Sequence, residues 1–146
     1  MSFELINQKF ITYQLNKAKI LKIVNTIFED EKILFKKINI ILEDDEYLRS
    51  LKNQYFNQNF YTDVIAFNLA DPGCPIDGEI YISLPRIMDN AKEYNSNLND
   101  EFKRIIIHGL LHLVGYDDQT VSDKKHMTDL ENQYININAG TIITYE

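Results

Sequence analysis

Residues 105–114, Ile-Ile-Ile-His-Gly-Leu-Leu-His-Leu-Val, are apolar on nearly every side of any helix they form. A helix of that kind must cross the middle of a fold, because no side of it can face water cheaply. The preceding residues supply a start: Asn97 or Asn99 can cap the helix, and Asp100 and Glu101 oppose the positive end of its dipole. Gly115 supplies the stop, where a helix needs a residue that tolerates the left-handed region. The stretch from Asn97 to Thr120 is therefore the rod around which the rest of the chain must pack.

This rod carries His108 and His112, four residues apart and so on one face, one above the other. Two buried imidazoles without partners would each cost on the order of 1–3 kcal/mol, and one shared metal ion removes both penalties. A bend at Gly115 can bring a carboxylate to the same ion. Asp118 is the preferred third ligand, with Asp117 and His126 as its rivals. Three protein ligands with an open position, here spaced His-x3-His-x5-Asp, form the arrangement that catalytic zinc uses. A zinc peptidase helix places its general-base Glu directly after the first His. Gly109 stands there instead, which argues against peptide hydrolysis and for close packing or close approach of a substrate.

At 146 residues the chain is expected to form one domain, 1–146, with about two-thirds of its unfolded surface buried. A hydrophobic fraction of 45% and a charged fraction of 25% fit an ordinary globular protein. No apolar run approaches the roughly 20 residues that a membrane span needs, and Met1 to Leu5 lacks the basic-then-apolar layout of a signal peptide. A lone cysteine, Cys74, suits a reducing compartment, so a cytoplasmic location is expected. The net charge of −7 argues mildly against broad nucleic-acid affinity. Lysines do crowd the first quarter, Lys36 and Lys37 among them, and are read as a solvated helix face.

Along the chain, Phe3–Asn7 reads as a short strand and Asn16–Phe28 as an amphipathic helix with lysines outward. Lys36–Leu42 is strand-like, and Asp44 or Asp45 caps a helix running to Tyr55. Thr62–Leu69 and Gly78–Ser83 read as paired strands joined by the turn-rich Asp71–Pro75. Leu84-Pro85 opens a helix to Tyr94, and a last helix spans about Thr120–Gln133 before an apolar tail, Ile135–Tyr145. The predicted fold class is α/β (α+β): a small mixed four-stranded sheet against about five helices, with one buried, metal-bearing helix at the centre.

His108-Gly109-Leu110-Leu111-His112-Leu113-Val114-Gly115-Tyr116-Asp117-Asp118 closely resembles the signature of the YbeY family, the bacterial rRNA maturation endoribonucleases. Thr62-Asp63-Val64-Ile65-Ala66-Phe67 resembles that family's strand motif, and Gly78-Glu79-Ile80-Tyr81-Ile82 its following strand. The resemblance implies a single-domain α/β fold, a metal held between the signature helix and the segment after it, and work on ribosomal RNA. By position, His108 and His112 are the first two ligands, and Asp118 stands where the family usually has histidine. An aspartate there lowers the charge of the centre by one unit, which should make bound water less acidic and favour harder ions. The family also usually carries Arg after a Tyr upstream of the strand motif, whereas here Tyr55 precedes Phe56.

Phenylalanine cannot clamp a phosphate as a guanidinium does, so Phe56 is read as a core or cleft-wall aromatic, with base stacking as its other use. Lys52 and Arg86 are the candidate replacement charges, both read first as solvated. Asp117 is expected to accept a hydrogen bond from a ligand histidine or to cap a helix. Asp63 is expected to bond across the cleft floor or to stabilise a turn.

The resemblance and the residues together imply a metal-dependent, single-strand endoribonuclease of 16S rRNA maturation and ribosome quality control. His108, His112 and Asp118 would be its catalytic and metal-binding residues and one divalent ion, zinc, its cofactor. Ribosomal RNA, with the 30S subunit or its assembly proteins, would be its partner. Two alternatives stand beside it: a ribosome-assembly or RNA-binding factor with a structural metal, and a metal-dependent hydrolase of another substrate. A fourth protein ligand would favour a structural metal, and an open position an enzyme.

Overall fold

The run Ile38-Asn39-Ile40-Ile41-Leu42 is buried throughout, on both faces of a sheet, as a continuous β-branched run in a parallel arrangement should be. The computed structural model describes residues 1–145. Among these, the elements in order are β1 (Ser2–Ile6), β2 (Tyr13–Leu15), α1 (Lys17–Glu31), β3 (Phe35–Glu43), α2 (Asp45–Phe56) and β4 (Val64–Asn68). There follow β5 (Ile76–Ser83), α3 (Leu84–Glu93), α4 (Leu98–Leu113), α5 (Val121–Ile137) and β6 (Ile143–Tyr145). The main sheet has the order β1-β3-β5-β4, with β1 and β5 parallel to β3 and β4 antiparallel to β5. The mixed four-stranded sheet and five helices agree with the fold class expected from sequence.

Each helix opens on a polar side chain that accepts a backbone N–H of its first turn: Asn16, Asp44, Ser83, Asn97 and Thr120. α4 does cross the core. Phe102, Ile106, Ile107, Leu110 and Leu111 are wholly buried, and the helix touches α1, α3 and α5 as well as β4 and β5. Gly109 permits this approach, since a Cβ there would lie 2.9 Å from Ile80 Cγ2 on the sheet. Gly109 thus packs closely against the sheet, and it also lines the cleft beside His108 and His112.

The apolar tail departs from the sequence reading. Its first residues extend α5 to Ile137, and β6 pairs antiparallel with β2 in a second, two-stranded sheet. Side chains of α4 pin this end of the chain. The buried Lys103 Nζ donates to the carbonyls of Asn138 and Gly140, each at 2.8 Å, and Asn99 Oδ1 accepts from Ile142 N at 2.7 Å.

Candidate metal centre

α4 ends in a turn that the sequence dictates closely. Gly115 N donates to His112 O and Tyr116 N to Leu111 O, at 3.1 and 3.0 Å, with Gly115 at φ +108°. This is the double-bonded helix stop that only a residue at ease with positive φ can make. It turns the chain so that the Tyr116 carbonyl faces back toward His112 Nδ1, 3.0 Å away. Two residues later Asp118 returns to the helix face that carries both histidines.

Both imidazoles are half-buried, with side-chain exposures of 21% for His108 and 31% for His112. They also have partners, so the sequence expectation of buried and orphaned rings is corrected: α4 leaves this one face open to a cleft. His108 Nδ1 lies 2.7 Å from Glu131 Oε2 on α5. With each Nδ1–H donated, each Nε2 presents a lone pair. The two Nε2 atoms face each other at 3.0 Å, and Asp118 Oδ2 lies 3.4 and 3.5 Å from them. A proton on one ring or a bound cation would relieve this approach of lone pairs. One ligand atom from each of His108, His112 and Asp118 lies within 4.8 Å of the others. The chemistry of these donors fits one divalent ion: two neutral imidazoles and a carboxylate, with the far nitrogen of each imidazole engaged.

The rivals for the third position lie elsewhere. His126 stacks on the Tyr116 ring, with centroids 5.5 Å apart. Asp117 is exposed and accepts from Asp118 N at 2.8 Å. It neither caps α5, which Thr120 does, nor receives a histidine N–H. That second task belongs to Glu131, which sequence reasoning missed. One signal was present: Glu131 sits on the inward stripe of α5 with Met127 and Tyr134, a carboxylate among buried apolar residues. Its other oxygen accepts from Arg104 Nη1 at 2.9 Å, and Arg104 also donates to Asn132 Oδ1 at 2.8 Å. Burial alone would lower the pKa of His108. The Glu131 hydrogen bond and the charges of Glu131, Asp118 and Asp63 outweigh it and raise the pKa above the ordinary 6.5.

Asp63 stands at the entry to β4, on the wall of the cleft that holds His108 and Asp118. Asn90 Nδ2 donates to its Oδ2 at 3.1 Å, and its backbone carbonyl accepts from Ser83 N at 2.9 Å. Burial raises its carboxyl pKa, with the His108 charge, a hydrogen bond from Asn90 and backbone N–H groups opposing. Phe56 and Lys52 line the same cleft as His112. Arg86 does not: contrary to its expected solvation, it pairs with Asp45 at 2.7 Å and lies over the Tyr61 ring. Cys74 is free and exposed. Among the described residues no helix is long and apolar enough to cross a membrane.

The family model described as Endoribonuclease YbeY matches residues 4–138 of this chain. A protein named Endoribonuclease YbeY from Cytophaga hutchinsonii is 37% identical over 126 residues, 86% of this chain and 88% of the relative. One of the same name from Chloroherpeton thalassium is 34% identical over 131 residues, 90% and 92% of the two chains. The solution structure of TM1509 from Thermotoga maritima superposes with a TM-score of 0.56 at 28% identity, covering 92% of this chain and 86% of that one.

Proposed function

The chain belongs to the YbeY endoribonuclease family, and from that membership we propose that it is a metal-dependent, single-strand endoribonuclease of 16S rRNA maturation and ribosome quality control. In this reading it works in the cytoplasm as one domain over residues 1–146, on ribosomal RNA and in contact with the 30S subunit or its assembly proteins. The observation that carries the proposal is the convergence of His108 Nε2, His112 Nε2 and Asp118 Oδ2 at one edge of an open cleft.

These three residues would hold one divalent ion, and two imidazoles suit zinc. Bound there, the ion supplies Lewis-acid polarisation of a phosphoryl oxygen and makes water a better nucleophile near neutral pH. The chain's own residues do the rest. Glu131 and the Tyr116 carbonyl hold the two rings by their Nδ1 atoms and fix which nitrogen faces the cleft. Asp63 supplies a carboxylate in the cleft wall, its pKa raised by burial in the direction that suits proton transfer. Among the described residues the ligand group has three members, which favours an enzyme over a structural metal.

The test is metal analysis of the purified protein, with cleavage of ribosomal RNA precursors by wild type and His112→Ala. Wild type should carry about one equivalent of metal and cleave, and the variant should do neither. Equal cleavage by both proteins would point to a contaminating nuclease and end the proposal.

A further inference from the structure

Beside the cage, Phe56 lines the cleft, and Phe60 shares the Lys52 ammonium with it. Phe56 is 46% exposed and Phe60 51%. Phe56 closes α2, and Asn57 then turns the chain in the left-handed region at φ 53°, which brings Phe60 back to the same place. The Phe56 ring is nonetheless firmly backed. It stacks on Phe67 of β4 with centroids 5.9 Å apart and planes 14° from parallel, and Tyr55 meets Phe67 edge-on at 5.3 Å. Lys52 Nζ lies over the Phe56 ring, 4.9 Å from its centroid, and over the Phe60 ring at 5.4 Å, so a base that stacks on either ring takes the place of this ammonium. Among the described residues Lys52 has no carboxylate partner, so its charge is open to an anion. Lys52, Phe56, His112 and Asp118 all line one cleft.

Rings held rigidly at a surface, with a cation between them, suit a nucleobase and its phosphate. Stacking accepts any base because every base has a π-face, and the cation answers the backbone charge. We propose that Phe56 and Phe60, with Lys52 between them, form a stacking subsite for an unpaired nucleotide of the RNA substrate, in the same cleft as the scissile phosphate. This rests on the endoribonuclease reading and adds to it how the chain grips its substrate. Affinity at the subsite comes from a ring face, which a base already paired and stacked in a duplex cannot offer. The continuity of the ledge with the cage, and the positive charge on an otherwise acidic protein, favour RNA over an apolar peptide.

The test is binding of the full-length protein, as purified, to a short single-stranded 2′-O-methylated oligonucleotide that carries one 2-aminopurine. Stacking is read directly as quenching of its fluorescence. Phe56→Leu keeps apolar cover over Phe67 but removes the π-face, and Phe56→Trp keeps the face. Wild type and Phe56→Trp should bind and quench, whereas Phe56→Leu should bind about tenfold more weakly with little quenching. A duplex of the same sequence should bind all three proteins alike. Equal affinity and quenching for Phe56→Leu and wild type would remove the subsite, as would a wild type that binds no single strand. Cleavage of unmodified RNA, measured in parallel, separates the two claims. If wild type cleaves while Phe56→Leu binds like wild type, only the subsite is lost. If wild type neither binds nor cleaves, the endoribonuclease reading goes too.

Discussion

Glu131 Oε2 lies 2.7 Å from His108 Nδ1 across the contact between α5 and α4. The carboxylate fixes the ring and makes Nε2 a stronger donor to a cation. Glu131→Gln should keep the fold, because the amide oxygen can still accept one of the two bonds. Metal affinity should fall about 10–100-fold, as is typical when such an outer partner is lost. A competition titration against a chelator dye reads this directly, and unchanged affinity would reduce Glu131 to a partner of Arg104 alone.

Asp118 is the carboxylate among the three donors, its Oδ2 3.4 and 3.5 Å from the two Nε2 atoms. Asp118→Ala should lose metal. Asp118→His should restore it, with zinc favoured more strongly over manganese than in wild type, because imidazole is the softer ligand. The ratio of the two apparent affinities is the measurement, and an unchanged ratio would show that Asp118 does not set metal choice.

Asp63 couples stability to acidity with a definite sign. Burial raises its folded carboxyl pKa above the ordinary 3.8, so between those two values the folded state holds more protons than the unfolded one. Its contribution is most favourable below 3.8 and is lost as pH rises through the folded value. At neutral pH the penalty is complete. In chelator, Asp63→Asn should therefore melt higher than wild type at pH 7 and lose that advantage on acidification. With metal restored, turnover should fall. A variant less stable than wild type at pH 7 would contradict the burial argument.

Gly115 has open space where a Cβ would go, but its φ of +108° is strained for any other residue. Gly115→Ala should cost about 1–2 kcal/mol in denaturant unfolding and weaken metal binding at the same time, since the turn delivers Asp118. Gly109→Ala should cost about 1–3 kcal/mol through overpacking against Ile80, with its helix end intact. Loss of stability at Gly115 with full metal affinity would separate the turn from the cage.

Local chemistry was readable in the sequence, and distant pairing was not. Asn97, Asp44 and the apolar Ile105–Val114 run announce their helices because caps and periodicity act within a few residues. The histidine pair and Asp118 were legible because helix pitch and one glycine fix their meeting. Glu131 and Arg86 were not, since Glu131 reaches His108 across 23 residues of sequence and Arg86 reaches Asp45 across 41. The β2–β6 pair escaped because its strands have three residues each, too short for an alternating pattern to register. Histidine exposure was misjudged because an all-round apolar helix does not reveal which face its neighbours leave uncovered.

Tyr116 is gripped at both ends. Its carbonyl holds His112, and its hydroxyl donates to the Glu31 carboxylate in the last turn of α1, at 2.8 Å. The start of the chain is thus tethered to the loop that closes the cage, and the two should open as one cooperative unit. Filling the cage should then be felt a long way upstream, as slower deuterium uptake at the C-terminal end of α1.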